Sequence, residues 1–275
     1  MEYFSKGGAI YLWQADFDLD ETLDCGQAFR WEKIPGGYRG FYKNMPLTIT
    51  AEKDCFILHD TGEADFLNIW ADYFDLYTDY GELKRLYSQD ETLTKACAFA
   101  SGMRLLRQDP WEALCSFILS QNNNIPRIKG IIARLCQLFG GFPEPAALAE
   151  SSLEELAPVR AGFRGKYLLD AARKVASGKL ELETIAMASL EDARMMLQSI
   201  QGVGPKVAEC ALLYGMHRVE AFPLDVWIKR VMAWYYPDGL PEFLLPTAGI
   251  AQQYLFHYVR CGREEKSVTE ACASF

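Results

Sequence analysis

Histidine is scarce in this chain, with 3 residues in 275. The 8 cysteines include no Cys-x-x-Cys pair. Together these absences leave no ligand set of metal-site spacing, and no metal is expected in the chemistry. The cysteines lie scattered on apolar patterns and read as reduced core thiols. No run of 18 apolar residues occurs, which excludes a membrane-spanning helix. The opening Met1-Glu-Tyr-Phe-Ser-Lys-Gly7 has no basic stretch followed by an apolar one. No signal peptide is therefore expected, and the cytoplasm is the expected location. An excess of positive charge is missing too, since the formal net charge is −9. That excludes the broad basic surface common among nucleic-acid binders. The acidity is local, however. Residues 1–100 carry 18 acids against 9 bases, and the remainder carries 19 of each. Internal repeats and low-complexity tracts are absent as well.

Half of the residues are hydrophobic, enough for a sizeable core and two domains. Residues 1–95 read as β-rich. Tyr38-Arg-Gly-Phe-Tyr42, Leu47-Thr-Ile-Thr50 and Cys55-Phe-Ile-Leu-His59 are short apolar or alternating runs separated by turn-forming clusters. They predict an antiparallel sheet with helical cover. Residues 96–275 read as helical. Asp109-Pro-Trp-Glu112 is a capping box with proline at the first helical position, and Ser152-Leu-Glu-Glu155 is a second capping box. Helices are predicted over Ala113–Ser120, from Pro126 to Gly140, over Phe163–Val175 with Gly178 as its stop, and over Ser189–Ile200. Others are predicted over Pro205–Tyr214, Val226–Tyr235 and Thr247–Cys261. The polar tail after Gly262 is expected to fray. The fold class is thus α+β.

The segment from Leu197 to Cys210 carries the most chemistry. An apolar helix ends at Ile200, and Gly202 and Gly204 supply the open backbone of a tight turn. Pro205 opens the next helix, which places Lys206 in its first turn. The N–H groups of Gly202, Val203 and Gly204 are oriented for an anion. The positive end of a helix and partial burial both disfavour an ammonium, which is the direction that makes an amine nucleophilic. A phosphate-contacting or solvated lysine fits the same pattern. Cys210 lies four residues on, along the same face. Asp225 follows Phe222-Pro-Leu224 and precedes an apolar helix, as an N-cap would. A carboxylate near an amine is also a chemical pair, able to stabilise cationic charge on a sugar or assist proton transfer.

With these residues the chain resembles the helix-hairpin-helix superfamily of DNA glycosylases, and within it the 8-oxoguanine DNA glycosylase/AP lyase family. The likeness extends through Cys25-Gly-Gln-Ala-Phe-Arg-Trp31, Leu105-Leu-Arg-Gln-Asp-Pro110 and Ser120-Gln-Asn-Asn-Asn-Ile-Pro-Arg127. It continues in Gly162-Phe-Arg-Gly-Lys-Tyr167 and Ala248-Gly-Ile-Ala-Gln252. It implies a TATA-binding-protein-like antiparallel sheet domain followed by a helix-hairpin-helix glycosylase domain. The implied partner is double-stranded DNA holding 8-oxoguanine opposite cytosine, bound by a monomer. Excision through a lysine Schiff base and nicking by β-elimination are the implied activity. Relatives with an iron–sulfur cluster use four closely spaced C-terminal cysteines. Cys261 and Cys272 are only two, and no cluster is expected. A monovalent cation at the hairpin is compatible with the likeness.

The resemblance also implies roles residue by residue. Lys206 is the nucleophile, and Asp225 stabilises the oxocarbenium-like charge. Asn122 fills the hole left by the flipped base. Arg127 and Arg164 read the orphaned cytosine, and Phe163 wedges into the duplex. The carbonyl of Gly26 accepts from N7–H, present in 8-oxoguanine and absent from guanine. Gln252 bonds the base edge, while Phe256 and Cys210 cover its two faces. Two departures stand out. Phe163 occupies a position usually held by tyrosine, and Trp227 one often held by histidine. A monofunctional alkylpurine glycosylase would share the aspartate without needing Lys206. A non-catalytic hairpin module would explain only the glycines.

Overall fold

The computed structural model describes residues 1–262. Cys272 and the polar tail lie outside the described residues. Six strands run β1 Glu2–Lys6, β2 Ala9–Trp13, β3 Glu32–Ile34, β4 Gly37–Tyr42, β5 Met45–Ala51 and β6 Phe56–His59. They form one antiparallel sheet in the order β1-β2-β6-β5-β4-β3. The three predicted runs are β4, β5 and β6. The β1–β2 hairpin turns on Gly7 and Gly8, both at positive φ, as a two-residue hairpin connection requires.

Register explains which side of the sheet is dry. Ile10 pairs with Leu58, Leu58 with Ile49, and Ile49 with Tyr38. Side chains directly opposite one another share a face, and this row crosses four strands fully buried. It packs on Phe66, Trp70, Tyr73 and Phe74, from a helical segment whose Phe66–Trp70 stretch has π geometry. Trp31 lies under β4, where a Cβ on Gly40 would meet its ring at 2.3 Å. Its indole N–H donates to Tyr73 Oη at 2.7 Å.

The second core is helical and draws from both ends of the chain. Cys25 and Phe29 belong to it, as do residues of the Tyr80–Tyr87 and Glu91–Phe99 helices. The two cores therefore interleave along the sequence. Arg104 marks the seam. Its buried guanidinium donates to the carbonyls of Ala15, Asp16, Asp75 and Thr78 and lies 4.5 Å from the Tyr80 ring centre. A second tie joins the β4–β5 turn to the helical half. Arg30 lies between the Phe41 and Phe142 rings and pairs with Glu112 at 2.7 Å. Asn44 accepts from the Phe142 amide at 2.8 Å.

The expected caps form. Asp109 accepts from the Glu112 amide at the start of the Pro110–Ser120 helix. Ser152 and Glu155 exchange both bonds of the capping box. Yet no α-helix follows them, only turns and a 3₁₀ turn at Ala157–Val159. Pro158 has no N–H to donate to the Glu154 carbonyl, so the α-helical ladder cannot continue past the first turn. Among the described residues no helix is long and apolar enough to cross a membrane.

Candidate active site

The hairpin joins the Leu190–Gln198 helix to the Pro205–Cys210 helix, which continues through a π turn at Ala211–Gly215. Gly202 has φ +76, and a Cβ there would meet the Tyr167 ring at 2.4 Å. Both facts demand glycine. The turn is pinned from below by Asp170, whose carboxylate accepts from the Gln201 amide and from Lys174 Nζ, each at 2.7 Å. The amides of Gly202, Gly204 and Lys206 donate to no other described residue and remain available to an anion. The Val203 amide instead donates to the Ile200 carbonyl at 3.1 Å, and its side chain is buried. Val203 therefore shapes the hairpin from the core side.

A cleft of 770 Å³ opens beside the hairpin, lined among others by Gly26, Asn122, Lys206, Asp225, Trp227 and Phe256. Residues far apart in sequence converge there. Lys206 is half-buried. Its Nζ lies 3.4 Å from Ser120 Oγ and 5.5 Å from the centre of the Phe117 ring. Asp225 caps the Val226–Tyr235 helix, with Oδ1 accepting from the Trp227 and Ile228 amides at 2.9 and 2.8 Å. One carboxylate oxygen thus holds the helix end, and Oδ2 carries no hydrogen bond among the described residues. Cap and chemical pair are compatible roles for one side chain.

Cys210 and Gln252 lie behind the cleft wall, at 2% and 3% exposure, rather than on it. Burial pushes the Cys210 thiol up to about 11, against the nearby charge of Lys206. Gln252 Nε2 donates weakly to the Pro223 carbonyl at 3.4 Å. Phe256 is half-buried on the cleft surface. Gly26 has φ +95, and a Cβ there would crowd Ile125 and Arg260 at 3.1 and 3.2 Å.

The asparagine turn divides its work. Asn124 caps the Ile125–Phe139 helix through the Arg127 amide, and Asn123 donates to the Leu119 carbonyl. Asn122 is exposed, sits at φ +46, and its side chain has no hydrogen bond among the described residues. It is the one of the three whose side chain is left free of the turn's own hydrogen bonds. Arg127 is exposed at the rim. Arg164 differs from a surface reader. It is 3% exposed and donates to the carbonyls of Gln121 and Asn122, the latter at 2.8 Å. In this state its fork braces the turn. Phe163 stands exposed beside it, its ring centre 4.4 Å from the Arg164 guanidinium.

Several basic side chains of the cleft and the turns around it stand without a carboxylate partner. Among the described residues no ion pair involves Arg127, Arg164, Lys206, Lys229, Arg230 or Arg260. Arg230 lies 5.0 Å from the Trp227 ring centre. A cation thus stands beside the tryptophan that occupies the histidine position.

Sequence reasoning missed Ser120, Asp170 and Glu209. Glu209, only 8% exposed, accepts from Arg194 Nε and from the Phe222 amide, the latter at 2.7 Å. It ties the helix of Lys206 to the segment that carries Asp225. A charged residue among Val207, Ala208 and Cys210 was the available signal.

Comparison with known proteins agrees with this geometry. Residues 9–114 match the family described as 8-oxoguanine DNA glycosylase, N-terminal domain, and residues 115–239 match the HhH-GPD superfamily base excision DNA repair protein family. A solved structure of MBOgg1 in complex with a low affinity DNA ligand is 42% identical, with a TM-score of 0.89 over 94% of this chain and 99% of that one. The Clostridium acetobutylicum 8-oxoguanine glycosylase/lyase, in complex with dsDNA containing cytosine opposite 8-oxoG, is 35% identical. Its TM-score is 0.87 over 94% of this chain and 98% of that one. The N-glycosylase/DNA lyase of Saccharomyces cerevisiae is 33% identical over 82% of this chain and 70% of its own length. The matches run through the sheet, the seam and the hairpin alike, and the chain belongs to the 8-oxoguanine DNA glycosylase family of helix-hairpin-helix N-glycosylase/DNA lyases.

Proposed function

We propose that this enzyme, working as a monomer, excises 8-oxoguanine opposite cytosine through a covalent Lys206 intermediate and then nicks the strand. The observation that carries the reading is the convergence of Gly26, Asn122, Lys206 and Asp225 on one cleft beside a hairpin with available amides. Phosphate binds at the amides of Gly202, Gly204 and Lys206, with the unpaired rim cations contributing long-range attraction. The Gln201, Gly202 and Val203 carbonyls carry no backbone hydrogen bond among the described residues. They fit the oxygen ligands of a monovalent cation that would steady the turn. Asn122 occupies the vacated stack. Arg127, and Arg164 once it leaves the turn carbonyls, donate to the cytosine edge.

The flipped base sits against Gly26 and Phe256, with Gln252 and Cys210 behind. The Lys206 amine attacks the sugar C1′. The glycosidic bond breaks with its electron pair leaving on the base, which departs after protonation. The Asp225 carboxylate stabilises positive charge on the sugar during this step. Opening of the sugar ring at the C1′ adduct gives an imine. Removal of a C2′ proton then expels the 3′ phosphate by β-elimination. Single-turnover excision on duplexes with each base opposite 8-oxoguanine tests the reading. Cytosine is expected to give the fastest release, and Lys206→Gln is expected to give neither release nor nick. Equal rates for all four opposing bases would remove the cytosine assignment.

A further inference from the structure

Gly26 comes from the sheet half of the chain, yet its neighbours are fastened to the helix Ala248–Cys261. Gln253, 2% exposed, donates from Nε2 to Cys25 Sγ at 3.2 Å. Its Oε1 accepts from Tyr214 Oη at 2.6 Å, which fixes the orientation of the amide. Seven residues on, Arg260 donates to the Cys25 carbonyl at 3.2 Å. On the other side of Gly26, the buried Gln27 donates to the carbonyls of Thr22 and Arg104 at 2.8 and 2.7 Å and accepts from the Leu106 amide. The Cys25 thiol itself donates to the Thr22 carbonyl at 3.4 Å, and its sulfur accepts from Gln27 Nε2 at 3.4 Å as well as from Gln253 at the shorter distance. Burial pushes this thiol up to about 11 and keeps it in the S–H form that the arrangement needs.

The consequence concerns direction. A glycine at φ +95 has soft torsions on both sides, and its carbonyl points where its neighbours are held. Hydrogen bonds weaken steeply away from alignment. We propose that Gln253 is a positioning residue for lesion discrimination: by holding Cys25 it aims the Gly26 carbonyl at the N7 edge of the flipped base. The inference rests on the reading of Gly26 as the N7–H acceptor. Gln253 touches neither Lys206 nor Asp225, and an abasic sugar has no base for Gly26 to read. Excision and nicking therefore separate.

The test compares single-turnover excision of 8-oxoguanine opposite cytosine with nicking of a preformed abasic site, in wild type, Gln253→Met, Cys25→Ala and the double variant. Gln253→Met is expected to lower the ratio of excision to nicking about tenfold, the equivalent of one hydrogen bond of about 1.4 kcal/mol. Nicking is expected to stay at the wild-type rate. Cys25→Ala is expected to lower the ratio similarly, and the double variant to be no worse than either single one. An unchanged ratio in Gln253→Met, parallel loss of both activities, or multiplicative effects in the double variant would overturn the proposal. If Gln253→Met does not fold, an unchanged ratio in Cys25→Ala overturns it alone. Wild type that ignores 8-oxoguanine but still nicks abasic sites would instead overturn the reading of the lesion itself.

Discussion

Replacing Gly202 with alanine separates two physical effects at the hairpin turn. Alanine at φ +76 costs about 1 kcal/mol in backbone strain. Its Cβ would lie 2.4 Å from a Tyr167 ring carbon, with the other two nearest ring atoms at 2.5 Å. Relieving that overlap by moving the ring or the turn costs about 1–3 kcal/mol more. The sum, about 2–4 kcal/mol, corresponds to a fall in Tm on the order of 10 °C for a chain of this size. Gly204 is the control. It has ordinary φ, and an added methyl would meet nothing within 4 Å. Gly204→Ala is expected to lose about 1 kcal/mol or less, the ordinary cost of alanine for glycine at an N-cap. Thermal unfolding of both variants, and of Gly202→Ala in a Tyr167→Ala background, provides the assay. In that background the cost of Gly202→Ala is expected to drop to the strain alone, about 1 kcal/mol. Equal losses for the two glycines, or no relief from Tyr167→Ala, would refute the steric account of the hairpin.

Three further outcomes are expected. Asp225→Asn keeps an efficient helix cap, so Tm is expected to hold while excision collapses; Asp225→Ala is expected to lose about 1 kcal/mol of stability as well. Retained excision in the asparagine variant would remove the charge from the mechanism. Burial pushes the Glu112 carboxyl up to about 7 despite Arg30 beside it. A folded-state value above the unfolded one gives stability that is complete below about 4.5 and lost as pH rises through 7. Glu112→Gln is therefore expected to flatten the pH dependence of unfolding free energy between those values by as much as about 3 kcal/mol. An unchanged slope in chemical denaturation would contradict this. Finally, the buried Cys210, raised to about 11, is expected to resist maleimide at neutral pH while the exposed Cys261 reacts. Peptide mapping of labelled sites checks it, and early labelling of Cys210 would contradict it.

What was legible in the sequence was what local chemistry writes into it. The glycine hairpin, Pro205, the Asp109 box and the Asp225 cap each follow from a residue's own torsions or hydrogen bonds with near neighbours. The resemblance then supplied the remote partners, and the cleft brings Gly26, Asn122, Lys206, Asp225 and Phe256 together. Long-range bonds left no such trace. Asp170 beneath the hairpin, Glu209 between the segments of Lys206 and Asp225, and Gln253 behind Cys25 each act across 13 to 228 positions of chain. Local reasoning also misled once. The Ser152–Glu155 box is real, but Pro158 ends the helix it would have opened. Arg164 shows a related limit: nothing in its local sequence marks a side chain whose fork holds the carbonyls of Gln121 and Asn122.

The covalent step is the centre of the account, and reductive trapping reaches it most directly. Wild-type protein incubated with an 8-oxoguanine–cytosine duplex and borohydride is expected to carry a deoxyribose adduct on the peptide containing Lys206. An adduct mapped to the N-terminal amine or to another lysine, or none despite full release of the base, would contradict it.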